Sequence, residues 1–265
     1  MLKRRFGPAE VPVIGQGTWK LHGKETVDTL RVGIDLGLTH IDTAELYGTE
    51  EMVGEAIEGR RDEVFLVSKV LPSNATRKGT VRACEQSLKR LRTDRLDCYL
   101  LHWPGEHPLQ DTIAAFEELQ AKGKIRSYGV SNFDEDLLEQ AVQIAGPGRI
   151  ACDQVLYSFS ERHSEARVLP KCRELGVVMV GYSPFHGLPD RGELLKVALE
   201  LRATARQVAL AFLTRLPDTF AIPKASSVAH VRENAGAATL TLTAEQIARL
   251  DRAYPVRIRP ELPVI

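Results

Sequence analysis

"LDCYLLH", Leu96 to His102, carries four apolar residues in succession, Cys98 to Leu101, up to a histidine. A strand with one wet face alternates apolar and polar residues. An unbroken apolar run this short suits a strand buried on both faces of a parallel sheet. The same shape recurs in "THID" (39–42), "EVFLVSK" (63–69), "IRSYGVSN" (125–132), "IACDQ" (150–154), "VVMVGYS" (177–183) and "TFAIPK" (219–224).

Longer amphipathic segments separate these runs. They are "KETVDTLRVGIDLG", "EEMVGEAIEG", "TRKGTVRACEQSLKRLR", "LQDTIAAFEELQAKGK", "DEDLLEQAVQIAG", "EARVLPKCRELG" and "ELLKVALELRATARQVALAFLTRL". Several end on glycine, a normal helix stop. With a strand around "VPVIGQGTW" (11–19), eight strands alternate with helices along 265 residues. That is the size and rhythm of a (β/α)8 TIM barrel, read as one domain over residues 1–265. A doubly wound open sheet competes, but no G-x-G-x-x-G follows an early strand, and "GQG" is too short to count.

Composition narrows the function. Basic and acidic residues balance at 35 each, so net charge favours neither nucleic acid nor anionic membrane. The basic start, "MLKRRFGPAEVPVIG", lacks the apolar run of a signal peptide, and no segment approaches a membrane span. The scattered cysteines, Cys84, Cys98, Cys152 and Cys172, read as reduced core thiols, so a cytoplasmic protein is expected.

A TIM barrel gathers its active site at the C-terminal ends of its strands. The polar residues at the ends of the apolar runs are Asp42, Lys69, His102, then Ser131 with Asn132, Gln154, Tyr182 and Lys224. Each has a plainer reading alone. Asp42 could cap a helix, Lys69 could be solvated, His102 could lie satisfied under a loop, and Tyr47 could be core. Seven strands delivering such groups to one mouth make a site. The histidines are dispersed with no H-x-H or H-E-x-x-H, so no metal centre is expected. The nucleophile elbow G-x-S-x-G is also absent.

What remains is a phenol near a lysine, a carboxylate and a histidine. Tyrosine's ordinary pKa, about 10, is too high for efficient proton transfer near neutrality. A lysine ammonium about 4 Å away contributes roughly 4 kcal/mol at an effective dielectric of 20. The expectation is therefore a phenol drawn toward neutral pH, with Asp42 keeping Lys69 charged. Asp42 and Tyr47 lie five residues apart, a spacing that points two side chains apart on a helix or a strand. If they share a site, residues 43–47 form a loop that brings the Tyr47 hydroxyl back over Lys69 and His102. Such a group moves one proton on or off a carbonyl or alcohol oxygen.

The segments "GQGTWK" (15–20), "HIDTAELYGTEEMVGEAI" (40–57), "VFLVSKV" (64–70), "LDCYLLHWP" (96–104), "GVSNF" (129–133), "DQVLYS" (153–158), "GYSPF" (181–185) and "AIPKASSVAHVRENAGA" (221–237) resemble, in this order, the aldo-keto reductase family, prokaryotic members especially. The likeness spans nearly the whole chain. It implies a barrel that binds a nicotinamide cofactor in extended form and reduces aldehydes or ketones to alcohols. The family's catalytic tetrad falls on Asp42, Tyr47, Lys69 and His102, with Tyr47 as general acid. Its nicotinamide contacts fall on Ser131, Asn132 and Gln154, with Tyr182 stacking on the ring, and its further cofactor contacts on Thr18, Asp42 and Ser183. The adenosine end falls on Lys224, Ser226, Ser227, His230, Glu233 and Asn234. Trp19 and Trp103, with Tyr47 and His102, fall where the family lines its substrate pocket.

Two positions depart from the family's common pattern. Ala225 stands where a serine often follows the lysine, and His230 where an arginine often sits, with Arg232 two further on. Histidine cannot form arginine's bidentate phosphate fork. NADPH is still the expected cofactor, with NADH possible. The segments matching the family's variable loops, "PGEHPLQ" (104–110), "HGLPDRG" (186–192) and the tail "YPVRIRPELPVI" (254–265), are short. They imply an open pocket for a small aldehyde, dicarbonyl or keto-sugar acid, and the family's default state is a monomer. Two other readings stay open: a cofactor-sensing binding protein of the same fold, and a lyase using Lys69 as a Schiff base.

Overall fold

The computed structural model describes residues 1–23 and 25–265. The chain enters through an antiparallel hairpin, β1 (Lys3–Phe6) and β2 (Ala9–Pro12). Its Phe6 is fully buried against Phe65 and Phe220, with ring centroids 4.9 and 5.2 Å away, and so plugs the lower end of the barrel. Burying one such ring contributes about 1.5–3 kcal/mol.

Eight parallel strands come next: β3 (Gln16–Gly17), β4 (His40–Asp42), β5 (Phe65–Val70), β6 (Leu96–Leu101), β7 (Ile125–Ser131), β8 (Ile150–Leu156), β9 (Val178–Tyr182) and β10 (Thr219–Ile222). They pair in chain order, each with the next. Bridges Ile14–Ala221 and Gly17–Lys224 join the two ends of the sheet and close the ring. Gly17 permits that closure, because a Cβ there would stand 2.6 Å from the Ile222 carbonyl oxygen. Every residue of β4, β5, β6, β8 and β10 is buried, as the unbroken apolar runs require.

The surrounding helices are α1 (Glu25–Asp35), α2 (Glu50–Ala56), α3 (Arg77–Arg90), α4 (Leu109–Ala121), α5 (Glu135–Ala145), α6 (His163–Ala166), α7 (Val168–Leu175), α8 (Glu193–Glu200), α9 (Ala205–Leu213), α10 (Val228–Gly236) and α11 (Ala244–Ala253). The expected first residue of α1, Lys24, lies outside the described residues. All four cysteines are buried free thiols. Among the described residues no helix is long and apolar enough to cross a membrane.

The structure corrects the sequence reading in four places. The strand expected over 11–19 shrinks to Gln16–Gly17; Val11 and Pro12 belong to the hairpin, and Val13 to Gly15 lead across to Ala221 of β10. The segment 165–176 is two helices, because Pro170 has no N–H to offer the Ala166 carbonyl. The segment 193–216 also splits. Arg202 takes a left-handed conformation (φ 50°), and Thr204 with Gln207 forms a capping box that restarts the chain as α9. Helix α11, unforeseen, is started by a second capping box, Thr243 with Gln246.

Candidate active site

Asp42 is the last residue of β4, Lys69 the penultimate residue of β5, and His102 comes directly after β6. Neighbouring pairing sets their ends side by side. Lys69 is completely buried, and its Nζ donates to Asp42 Oδ1 (2.5 Å), the Thr43 carbonyl (2.9 Å) and Tyr47 Oη (3.2 Å). Tyr47 Oη also stands 3.4 Å from His102 Nε2. The five-residue spacing is thus resolved by a turn, though not by an irregular loop. Glu45–Tyr47 is one turn of 3-10 helix, ended by Gly48 in the left-handed region (φ 67°).

Two supports for that turn were not legible in the sequence. Glu45 accepts from the Leu71 amide (2.5 Å) and from Asn74 Nδ2 (3.1 Å), tying the turn to the segment after β5. Beneath it, the buried hydroxyls of Thr18, Thr49 and Thr43 form a chain with steps of 2.9 Å, and Thr18 Oγ1 donates to the Asp42 carbonyl. No local spacing marks Glu45 or Thr18, whose partners lie 24 to 31 residues away along the chain.

Electrostatics reverse one expectation. Burial raises the Tyr47 pKa above its ordinary value, and this outweighs the downward pull of the Lys69 ammonium. Tyr47 therefore holds its proton firmly. Burial lowers the pKa of Lys69, but Asp42 and Tyr47 together outweigh it, so the ammonium stays charged. Burial, then Lys69, pushes His102 down to about 3, leaving a neutral imidazole.

Around the tetrad the mouth opens into a cavity of about 460 Å³. Trp19 and Trp103 flank it, with Trp19 4.8 Å from the Tyr47 ring and Trp103 4.7 Å from the His102 ring, centroid to centroid. Thr18, Ser131, Asn132, Gln154, Tyr182, Ser183 and Lys224, where the family resemblance placed cofactor contacts, also line it. Gln154 Nε2 donates to Asp42 Oδ2 (2.7 Å). Tyr182 Oη donates to Asn132 Oδ1 (2.9 Å), and Asn132 Nδ2 donates to the His102 carbonyl (3.0 Å). Asn132 (φ 60°) and Ser183 (φ 52°) both sit in the left-handed region immediately after their strands. Such backbone states in non-glycine residues concentrate at functional sites.

Ser226, Ser227, His230, Glu233 and Asn234 do not line that cavity. They lie beyond Lys224, before or within α10, whose N-cap is Ser227, accepting from the His230 amide (3.3 Å). Asn234 is buried, and its Oδ1 has no partner among the described residues. The short tail does reach the mouth, where Ile265 lines the cavity, so the opening is less bare than its length suggested.

Residues 13–255 match the model of the aldo/keto reductase family. Methylglyoxal reductase YeaE of Escherichia coli is 43% identical over 264 residues, covering 94% of this chain and 93% of that protein. Glyoxal reductase of Bacillus subtilis is 33% identical, covering 91% and 88% respectively. An aldo/keto reductase from Klebsiella pneumoniae, crystallised with NADP and acetate, superposes with a TM-score of 0.94 at 44% identity, over 99% of both chains. This chain belongs to the aldo/keto reductase family.

Proposed function

We propose that this protein reduces small aldehydes and dicarbonyl compounds to alcohols with NADPH, Tyr47 acting as the proton donor. The observation that carries the reading is the Tyr47 hydroxyl, 3.2 Å from Lys69 Nζ and 3.4 Å from His102 Nε2 at the mouth of the cavity. The residues present fit a dinucleotide. Lys224 supplies a cation at the end of β10, and Asn234 Oδ1 is a buried acceptor left without a donor, suited to an exocyclic amine. Gln154, Asn132 and Tyr182 would hold and stack the nicotinamide end, and Ser227 with α10 the adenosine end. The reduced nicotinamide, when bound, supplies the two-electron equivalent to the carbonyl carbon.

The chain's own residues handle the proton. His102 Nδ1 is buried without an acceptor, so the imidazole proton is better placed on Nε2, which faces the cavity. Lys69 and His102 then both donate toward Tyr47 Oη, leaving the phenol proton for the substrate oxygen. As that proton leaves, the phenolate forms beside the Lys69 ammonium, which Asp42 and the Thr43 carbonyl keep in place. When substrate enters, the hydrogen bond from the single Nε2 proton of His102 would pass from Tyr47 Oη to the substrate oxygen and orient it, while Lys69 keeps its contact with the phenol.

The relatives that reduce methylglyoxal and glyoxal match over nine tenths of the chain, which supports a small dicarbonyl substrate. Trp19 and Trp103 would flank it. The test is oxidation of NADPH, followed at 340 nm, with methylglyoxal, glyoxal and simple aldehydes. The wild type should turn over, and Tyr47→Phe should fall by about 10²–10⁴-fold. A Tyr47→Phe variant with full activity would remove Tyr47 from the role.

A further inference from the structure

Arg206 occupies the first turn of α9 and lines the same cavity as Tyr182 and Lys224. Its guanidinium lies 4.7 Å from the centroid of the Phe185 ring, which holds the side chain by a cation–π contact. Among the described residues it makes no ion pair and no hydrogen bond. Arg162, Arg215 and Arg249 behave differently, each holding a glutamate within 3 Å. Helix stability does not account for Arg206 either, because the first turn of a helix favours acids.

The cavity around it has an excess of positive charge. Lys20, Lys224 and Arg206 line it, and its one acidic side chain, Asp42, is already bound by Lys69. An unspent guanidinium in such a wall suits a multiply charged, oxygen-rich anion, which it can grip with two parallel N–H donors. The dinucleotide offers two such groups, the diphosphate bridge and the 2′-phosphate. The residues of α10, assigned to the adenosine end, lie outside this cavity, whereas those assigned to the nicotinamide end line it together with Arg206. Arg206 therefore belongs to the stretch between the two ends.

We propose that Arg206, stacked on Phe185, is a cofactor-binding residue that grips the diphosphate bridge of the dinucleotide, leaving the 2′-phosphate to Lys224. The assignment rests on the NADPH-binding reading above.

Equilibrium titration of NADPH and of NADH, followed by quenching of tryptophan fluorescence, tests it without turnover. Arg206→Ala should weaken both nucleotides by a similar factor, about 10- to 100-fold for one charge-assisted contact. Arg206→Lys should recover part of the loss, keeping the charge without the fork. Arg206→Glu should lose more than Arg206→Ala for both. Unaltered thermal melting checks that each variant is folded. Unchanged affinity in folded Arg206→Ala overturns the proposal. A loss confined to NADPH also overturns it, by moving the contact to the 2′-phosphate. If the wild type itself binds neither nucleotide, the cofactor reading falls and this proposal with it, an outcome distinct from a failure of Arg206 alone.

Discussion

The Lys69 ammonium sits 2.5 Å from Asp42 Oδ1, with both side chains out of reach of water. A buried pair of this kind adds little net stability, since desolvation offsets the attraction. Its value lies in keeping a positive charge beneath the Tyr47 hydroxyl. Removing one member leaves the other charge buried and alone. Asp42→Leu should cost roughly 3–5 kcal/mol in urea unfolding, and adding Lys69→Met should restore most of it. Neither variant should reduce carbonyls. If the double variant is as unstable as the single one, the unpaired charge is not the cause.

On the reading proposed above, Tyr47 and His102 would also set the pH behaviour. Burial holds the Tyr47 pKa above 10, so the acid form prevails throughout the neutral range. His102, pushed down to about 3 by burial and then by Lys69, stays neutral there too. With NADPH saturating, kcat/KM for reduction should therefore be level from about pH 6 to 9. A fall with an apparent pKa inside that range would mean that another group, or a much more acidic Tyr47, controls the step.

How far the sequence exposed this site depended on where each cause lies along the chain. Asp42, Lys69 and His102 were readable because a strand buried on both faces is an unbroken apolar run, and its polar end marks the rim. Glu45 was not readable, since its partners Leu71 and Asn74 are 26 and 29 residues away. The rise in the Tyr47 pKa was hidden for a related reason. Whether burial or Lys69 prevails depends on how the folded chain encloses the ring, and sequence spacing does not carry that. The break before α9 is a different case, because Thr204 and Gln207 spell a capping box that a long apolar periodicity overrode.

Glu45 can be tested as a positioning residue. Its carboxylate holds the turn that carries Tyr47, and it contacts none of the other three tetrad residues. Glu45→Ala should lower kcat by roughly 10- to 100-fold, as small misplacements of catalytic groups do, while the Kd for NADPH stays within about twofold. Crystals of the variant should show Tyr47 Oη displaced from Lys69. Unchanged kcat would show that the turn holds itself.

His40 gives a separate prediction about stability. It lies at the lower end of the barrel between Phe6, Phe65 and Phe220, and neither ring nitrogen has a hydrogen-bond partner among the described residues. Burial pushes its pKa down to about 4 from the ordinary 6.5. The unfolded chain therefore takes up this proton more readily. Stability is complete above about pH 6.5 and is lost as pH falls toward 4, by about 3 kcal/mol. His40→Leu removes the titration, so the stability of the variant relative to wild type should improve by that amount between pH 7 and 4. A constant difference across the range would place the acid sensitivity elsewhere.

On the proposed reading, cofactor choice would rest on Lys224, which lines the cavity just before α10 begins, and on His230 in the first turn of that helix. A lysine ammonium recognises the extra 2′-phosphate as a point charge, whereas His230 lacks the bidentate fork of an arginine. Lys224→Ala should therefore weaken NADPH more than NADH, by roughly 10-fold in the ratio of their Kd values. His230→Arg should move that ratio the other way, toward stronger NADPH preference. This pattern differs from Arg206→Ala, where both nucleotides weaken together, so the two sites can be separated in one set of titrations. If Lys224→Ala leaves the ratio untouched, the 2′-phosphate is bound elsewhere, and Arg232 on the same helix becomes the residue to substitute next.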